Sequence, residues 1–363
     1  MAPDSMRSSL PSRILVRGTN WVGDTIISLP AAREMRRIFP TAHLTFWVPE
    51  GLSRLVEASG ASDDVLTFND TTGGPLKRPF RVRPRLAEVQ FDMVVLFQNA
   101  FEGAFTSWLA GIPLRAGYPT DLRGPLLNVK VPLTDAARSR HQVFYYLAIT
   151  DFLAQHFGGA ARSEHHRPDC SITLGWDALR SASSLLHAQG ADLDRLLICL
   201  CPGSVNSEAK RWPALHFAGL ADLLIERMAA QVVFIGSSRE SELIEDIMYL
   251  MHGQGAVNLA GRADMIESMA VMNLSAIVIS NDTGSAHMAV AASTRVLTIF
   301  GPTSPGATAP YGERAHIIRG GAPCAPCRHF RCPMPDHPCM FGIRPEAVLD
   351  KTREILASGD SQS

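Results

Sequence analysis

Short apolar runs alternate with segments of helical apolar spacing along the first half of this chain. The runs are rich in Val, Ile, Leu and Phe and lie at 13–17, 43–48, 65–68 and 92–97. Residues 26–39 and 52–59 have apolar positions at helical spacing, and the first of these segments ends before Pro40. Strands that alternate with crossover helices form a parallel sheet. The first half is therefore predicted to be one α/β domain.

The second half repeats this alternation after a polar, loop-rich stretch at 156–194, which we interpret as a linker. Strands are predicted at 196–200, 232–235, 256–259 and 277–279, and helices at 215–228, 239–251 and 264–273. Pro345 begins one more helical segment. The predicted organisation is an extension at 1–12, a first domain at 13–175, a second domain at 176–344, and a C-terminal helix and tail at 345–363.

Polar turns follow several of these strands. They read GTNWVGDT in the first half, and CPGSVNSEAK, GSSRESE and NDTGSAH in the second. Ligands of open α/β sheets bind at the carboxyl ends of the strands. The four turns are therefore predicted to converge on one cleft.

The stretch at 276–305 carries the most informative of these turns. A strand ends at Asn281, and small residues around His287 then predict a helix. The unpaired N–H groups at a helix N-terminus attract phosphate, and Asp282 either caps this helix or accepts from a sugar hydroxyl. The alternative is a capped helix with a packed histidine, and the residues alone leave both interpretations open.

Composition restricts the classes of function. The chain has 363 residues and a net charge of −1, so its overall charge gives no argument for a nucleic-acid partner. Its apolar runs are too short to cross a bilayer, and residues 1–12 lack the apolar core of a signal peptide. The seven cysteines have no disulfide-framework spacing. We therefore expect a cytoplasmic protein with no transmembrane segment.

Residues 69–86 lose all periodicity among glycines and prolines, and we predict a mobile, basic loop there. Its five cations are Lys77, Arg78, Arg81, Arg83 and Arg85. A solvated loop is one interpretation. Because the segment contains no acidic residue, a contact with a polyanionic partner is the other.

Four cysteines lie within sixteen residues near the C-terminus, at Cys324, Cys327, Cys332 and Cys339. The CxxC pair has the spacing of a zinc hook, and the other two thiols would complete a four-coordinate structural site. A reduced, packed cluster is the alternative. A catalytic metal is not expected.

Five motifs occur in order along the chain: GTNWVGD, PGS followed by AKRWP, GSSRE, NDTGSAH and GPTSP. In this combination, between Arg13 and Leu356, the chain resembles the ADP-heptose:lipopolysaccharide heptosyltransferases, most of all the second enzyme of that pathway. The resemblance implies a GT-B fold, in which two Rossmann-like domains face a central cleft and the last helix packs back on the first domain. It also implies inverting transfer of L-glycero-D-manno-heptose from ADP-heptose to a heptosyl-Kdo inner core, without a metal or other cofactor. Such an acceptor places the protein at the inner face of the inner membrane.

The resemblance also implies roles for individual residues. Asp24 corresponds to the general base, although an N-cap aspartate would explain the same position. Lys210 corresponds to a lysine that holds the donor diphosphate, where a mobile ammonium suits a leaving group that gains negative charge. Without the resemblance it is a surface lysine. The other donor-binding positions are Ser204, Glu240 for the ribose, and Asp282, Thr283, Gly284 and His287 of the DTGxxH loop.

On the acceptor side, the five cations of the basic segment are expected to contact the phosphates and acidic sugars of the inner core. Two rival functions remain open at this stage. One is a related GT-B glycosyltransferase with another nucleotide sugar or acceptor, and the other is a protein that binds sugar nucleotides without catalysis. A general base at Asp24 would separate an enzyme from a binding protein.

Overall fold

The computed structural model describes residues 10–68, 74–162, 167–205 and 207–359. The chain divides into two compact units, Met1–Cys170 and Ser171–Ser363. Each unit contains a six-stranded parallel sheet with helices connecting its strands. The predicted fold class, two Rossmann-like α/β domains, is confirmed.

The sheet of the first unit has the strand order β3-β2-β1-β4-β5-β6. Its strands are β1 (Arg13–Arg17), β2 (His43–Pro49), β3 (Asp64–Phe68), β4 (Met93–Leu96), β5 (Leu114–Gly117) and β6 (Val129–Lys130). Its helices are α1 (Val22–Ile38), α2 (Ser53–Ala58), α3 (Gly74–Val89), α4 (Phe101–Leu109), α5 (Asp135–Ser139) and α6 (Gln142–His156).

The sheet of the second unit has the order β12-β11-β10-β7-β8-β9. Its strands are β7 (Leu197–Cys201), β8 (Gln231–Phe234), β9 (Val257–Asn258), β10 (Ile277–Asn281), β11 (Val296–Phe300) and β12 (Ala315–Arg319). Its helices are α7 (Trp176–Ala188), α8 (Ala214–Met228), α9 (Ser241–Leu250), α10 (Met265–Leu274), α11 (Gly284–Ala291), α12 (Pro305–Thr308), α13 (Pro338–Phe341) and α14 (Pro345–Gly359).

The two sheets have the same topology. In each, the chain starts at a central strand, moves outward to one edge, and returns to continue on the other side of that first strand. This reversal lies between β1 and β4 in the first sheet and between β7 and β10 in the second. Ligands of doubly wound sheets bind at such a switch point, beside the carboxyl ends of the strands.

The central strands are buried on both faces, which explains their unbroken apolar sequences. Every residue of β7, β10 and β11 is buried. In the second unit, α8 and α9 cover one face of the sheet, and their side chains form a common apolar core with those strands. The rigid sheet therefore fixes the positions of the turns that leave β7 and β10.

The prediction of a mobile loop at 69–86 is wrong for its described part, because residues 74–89 form α3. Pro79 and Pro84 lie inside this helix and suppressed the helical signal. Val82, Leu86 and Val89, at helical spacing, pack on the core of the first unit. Tertiary burial of this apolar face has overridden the low helix propensity of proline.

One other expectation also needs correction. The stretch interpreted as a linker contains α7, which packs on α10. The last helix, α14, packs against α8 and places Val348, Leu349 and Ile355 in the core of the second unit. Its expected packing on the first domain stays a prediction.

Candidate active site

The polar turns of the second unit meet where β7 and β10 end. Asn281, the last residue of β10, is fully buried and joins them. Its Nδ2 donates to the carbonyl of Pro202 at 2.7 Å, and its Oδ1 accepts from the backbone N–H of Trp212 at 3.1 Å. One amide side chain thus connects both ends of the turn after β7 to the end of β10. The predicted convergence of these turns is observed within this unit.

Lys210 and Asp282 form an ion pair at this edge of the sheet. The Lys210 ammonium lies 2.7 Å from Asp282 Oδ2 and donates to the Asp282 backbone carbonyl at 3.2 Å. Thr303 Oγ1 donates to the same carboxylate at 2.6 Å. The Asp282 side chain is only 4% exposed, whereas that of Lys210 is 27% exposed. The aspartate is thus a buried anchor, and the lysine side chain is partly exposed to solvent.

The helix cap, one of the two roles considered for Asp282, is not formed. The N-cap position of α11 is Thr283, and its side chain makes no capping hydrogen bond. Gly284 is the first residue of the helix, so the unpaired N–H groups of its first turn begin two residues after Asp282 along the chain. His287 lies one turn further along α11 and is buried. Whether these residues contact a donor remains a prediction.

Glu240 lies against the glycine of the PGS turn. Its Oε2 accepts from the backbone N–H and the hydroxyl of Ser237, both at 2.8 Å, in a capping box. A Cβ at position 203 would overlap the Glu240 carboxylate, so only glycine lets the two come this close. Because Gly203 also neighbours the Asn281 amide, Glu240 and the ion pair occupy the same edge of the sheet. The hydroxyl of Ser204 is turned inward and donates to the Ser207 carbonyl at 2.9 Å.

The cysteine-rich segment supports the turn that carries Lys210. Nε2 of His337 lies 2.9 Å from the carbonyl of Ala209, and the N–H of Ala209 donates to the carbonyl of Phe330 at 2.9 Å. Arg331 pairs with Glu208 at 2.9 Å. These contacts hold Glu208 and Ala209, the two residues that precede Lys210. The cysteine-rich segment, residues 324–339, therefore helps to fix the position of Lys210.

The four cysteines of this segment differ in their environments. Cys339 is buried and Cys324 is exposed, and all four are free thiols. Burial, followed by the neighbouring thiols at Cys324, Cys332 and Cys327, raises the pKa of Cys339 to about 11. Within the described ranges, no group of three or more His, Cys, Asp or Glu side chains is arranged to hold a metal ion. The structural zinc considered from the sequence therefore finds no support in this geometry.

Asp24 lies at the corresponding edge of the first sheet, in the turn and helix that follow β1. The helix α1 begins at Val22 with Trp21 at the cap position, so the alternative that Asp24 is an N-cap is wrong. Asp24 is half-buried in the first turn of this helix. Burial and then the nearby Asp24 carboxylate raise the pKa of Tyr146, on α6, well above its usual value.

Three of the five cations assigned to the acceptor are used inside the first unit. Arg78 pairs with Glu102 of α4 at 2.9 Å. Arg83 donates to the Leu109 carbonyl at 3.0 Å, and Arg85 donates to the Thr67 carbonyl at 3.1 Å. Lys77 and Arg81 are exposed on α3. A role of these cations in acceptor binding remains a prediction.

Two residues of the site were not singled out from the sequence. Thr303 belongs to the GPTSP turn, and a hydroxyl in the turn that follows β11 was the available signal. Asn281 was noted only as the residue at which the strand ends. Its structural role depends on contacts with residues 69 and 79 positions away, which no local pattern encodes.

Comparisons with known proteins agree with this arrangement. The model of glycosyltransferase family 9 (heptosyltransferase) matches residues 80–337. Lipopolysaccharide heptosyltransferase 2 of Escherichia coli (strain K12) is 27% identical over 95% of this chain and 98% of that protein. Lipooligosaccharide heptosyltransferase 2 of Haemophilus influenzae is 28% identical over 95% of this chain and 99% of that protein.

A solved structure, that of E. coli ADP-heptose lps heptosyltransferase II, has a TM-score of 0.81 and 24% identity, and the match covers 96% of this chain and 99% of that one. The likeness confirms the GT-B fold expected from the five motifs. The family model covers well over half of the chain and includes the turns that carry Lys210, Glu240 and Asp282. The chain therefore belongs to glycosyltransferase family 9, the heptosyltransferases.

Proposed function

We propose that this glycosyltransferase moves L-glycero-D-manno-heptose, with inversion, from ADP-heptose to the heptosyl-Kdo inner core of lipopolysaccharide. The names of two relatives that match almost the whole chain support heptosyl transfer and this class of acceptor, and the name of the similar solved structure supports ADP-heptose as the donor. The observation that carries the proposal is the ammonium of Lys210, which is fixed by buried Asp282 and Thr303 at the switch point of the second sheet.

On the donor side, Lys210 stabilises the leaving group. An ammonium has three N–H donors, and Asp282 accepts from two of them through its carboxylate and its backbone carbonyl. The third is available to the diphosphate of ADP, next to the N–H groups at the start of α11. Glu240 accepts from the ribose hydroxyls of the adenosine through Oε1, since Oε2 already accepts from Ser237.

On the acceptor side, Asp24 is the general base. It removes the proton from the acceptor hydroxyl while that oxygen bonds to the anomeric carbon of heptose, and ADP leaves with the electron pair of the broken bond. A carboxylate is ionised at neutral pH and is suited to this role. The position of Asp24 after β1, at the switch point of the first sheet, supports the assignment.

A panel of nucleotide sugars tests the proposal. The purified protein is incubated with ADP-heptose, ADP-glucose and UDP-glucose, each with a delipidated acceptor that ends either in Kdo or in heptosyl-Kdo. We expect release of ADP and extension of the acceptor only with ADP-heptose and heptosyl-Kdo. Turnover with a different nucleotide sugar would show that ADP-heptose is not the donor. Nucleotide binding without turnover in any combination would favour a non-catalytic protein.

A further inference from the structure

Four aromatic side chains form one continuous surface on α3 and α4, which we call the aromatic face. Phe101, Phe105 and Trp108 follow each other along one side of α4, with ring centroids 5.6 Å and 6.0 Å apart. Phe80 of α3 meets Phe105 edge-on at 6.2 Å. The aromatic face therefore joins both helices.

This face is open to solvent. Phe80 is 59% exposed, Phe101 is 45% exposed and Trp108 is 50% exposed. Single exposed aromatic residues are common on protein surfaces, but contiguous exposed apolar patches mark surfaces that bind a partner or a membrane. The packing of α3 against the core uses the opposite side of the helix, through Val82, Leu86 and Val89. Phe80 thus lies on the side of α3 that faces away from the core.

Positive charge surrounds the aromatic face. The helix α3 carries five cations and one carboxylate, Glu88, although the whole chain has a net charge of −1. On α4, the only carboxylate is Glu102, and Arg78 already neutralises it. Lys77 lies one helical turn before Phe80 and Arg81 follows it directly, and both are exposed.

We propose that the aromatic face and its exposed cations dock this protein on a bilayer that contains acidic phospholipids. Aromatic rings concentrate at the interface between lipid and water, where they bury their apolar parts among the headgroups. Exposed lysine and arginine bind the negative lipid surface. This combination of chemistry fits a membrane surface better than a folded protein partner. The proposal goes beyond the transfer reaction, since it requires no acceptor.

Vesicle sedimentation without any acceptor tests this proposal. The full chain is mixed with vesicles of phosphatidylethanolamine and phosphatidylglycerol, and separately with vesicles of phosphatidylcholine alone. We expect binding to the acidic vesicles that falls as salt rises, and much weaker binding to phosphatidylcholine. Equal binding to both kinds of vesicle, or binding to neither, would overturn the proposal.

The contribution of the rings is tested by Phe80→Ser with Trp108→Ser. The matched control replaces Trp176, which is 83% exposed, and Tyr249, which is 90% exposed, by serine in the second unit. The first double variant should bind acidic vesicles at least tenfold more weakly, and the control should bind like the parent. A melting temperature close to that of the parent shows that the variant is folded. Parent-like binding by the folded first variant would contradict the proposal.

The contribution of charge is tested by Lys77→Glu with Arg81→Glu, which removes no aromatic ring. Each cation near an acidic surface contributes about 1 kcal/mol, or roughly fivefold in binding, so the loss should exceed about 25-fold. Arg180→Glu with Arg227→Glu, both exposed on the second unit, is the control. If the variant Lys77→Glu with Arg81→Glu binds acidic vesicles with the affinity of the parent, the proposal is contradicted.

Turnover with a delipidated acceptor separates this proposal from the proposed function. The variant at Phe80 and Trp108 should turn over such an acceptor like the parent, because its rings are assigned only to the bilayer. Turnover with no vesicle binding would reject the docking surface alone. Vesicle binding with no turnover would reject the transfer reaction alone. A third outcome would also reject the proposal. If the parent forms oligomers that dissociate in this variant, and the parent does not bind vesicles, a second copy of the chain covers the aromatic face.

Discussion

Replacing Lys210 by alanine tests the ion pair at the centre of the donor site. The Asp282 carboxylate, which is 4% exposed, has Lys210 and Thr303 as partners. The substitution removes the ammonium and leaves the Thr303 hydroxyl. Removal of one partner from a buried ion pair costs about 3–5 kcal/mol, because the other charge is left without compensation. Lys210 is 27% exposed, and its removal admits water to the carboxylate, so we expect a loss of about 2–3 kcal/mol in the free energy of unfolding.

Urea unfolding measures this loss, and calorimetry measures the affinity for ADP. Lys351→Ala is a matched control, because Lys351 pairs with Glu354 at 2.6 Å on an exposed surface and should contribute only about 0.5 kcal/mol. Lys210→Ala should also weaken ADP binding by about 1.5–3 kcal/mol, since a charge-assisted hydrogen bond is lost. The double variant Lys210→Ala with Asp282→Asn should be more stable than Lys210→Ala alone, because no buried charge remains. A Lys210→Ala variant with the stability of Lys351→Ala and unchanged ADP affinity would refute this reasoning.

Three further predictions follow from local geometry. Gly203→Ala should displace Glu240 and weaken ADP binding about tenfold by calorimetry, because a Cβ overlaps the carboxylate; unchanged affinity would remove Glu240 from the donor site. Burial opposes the ionisation of Asp92, but hydrogen bonds from residues 12 and 13 hold its pKa below the usual 3.8. Asp92→Asn should therefore lower the free energy of unfolding above about pH 4, with a difference that shrinks as the pH falls through the folded pKa; a difference that persists at low pH would contradict this. At pH 8, iodoacetamide should modify exposed Cys324 well before Cys339, whose pKa is raised to about 11, and mass spectrometry of the peptides would reveal equal rates if this is wrong.

The sequence predicted the central strands β1, β2, β4, β7, β8 and β10, because each is a short, apolar run that is mostly or wholly buried. It missed β5, β6 and β12, which are very short or partly exposed. It failed at α3, where Pro79 and Pro84 indicate a loop, and the burial of Val82 and Leu86 that stabilises the helix depends on residues elsewhere in the sheet. The helix α7 was missed because its polar, exposed surface resembles a linker.

The site was predicted residue by residue, but its internal contacts were not. Lys210 and Asp282 were both assigned to the donor from the five motifs. The ion pair between them spans 72 positions and depends on the register of β7 beside β10. Likewise, the basic segment was assigned to the acceptor because it contains no acidic residue, whereas Glu102, which neutralises Arg78, comes from the next helix.

The most direct test of the account is the turnover of Asp24→Asn with ADP-heptose and a heptosyl-Kdo acceptor. Asp135→Asn, in the exposed first turn of α5, controls for the loss of a carboxylate at a helix N-terminus. If Asp24 is the general base, its variant should bind ADP with the affinity of the parent and lose about 10²- to 10⁴-fold in turnover, while the control retains its rate. Turnover of Asp24→Asn near that of the parent would contradict the proposed mechanism.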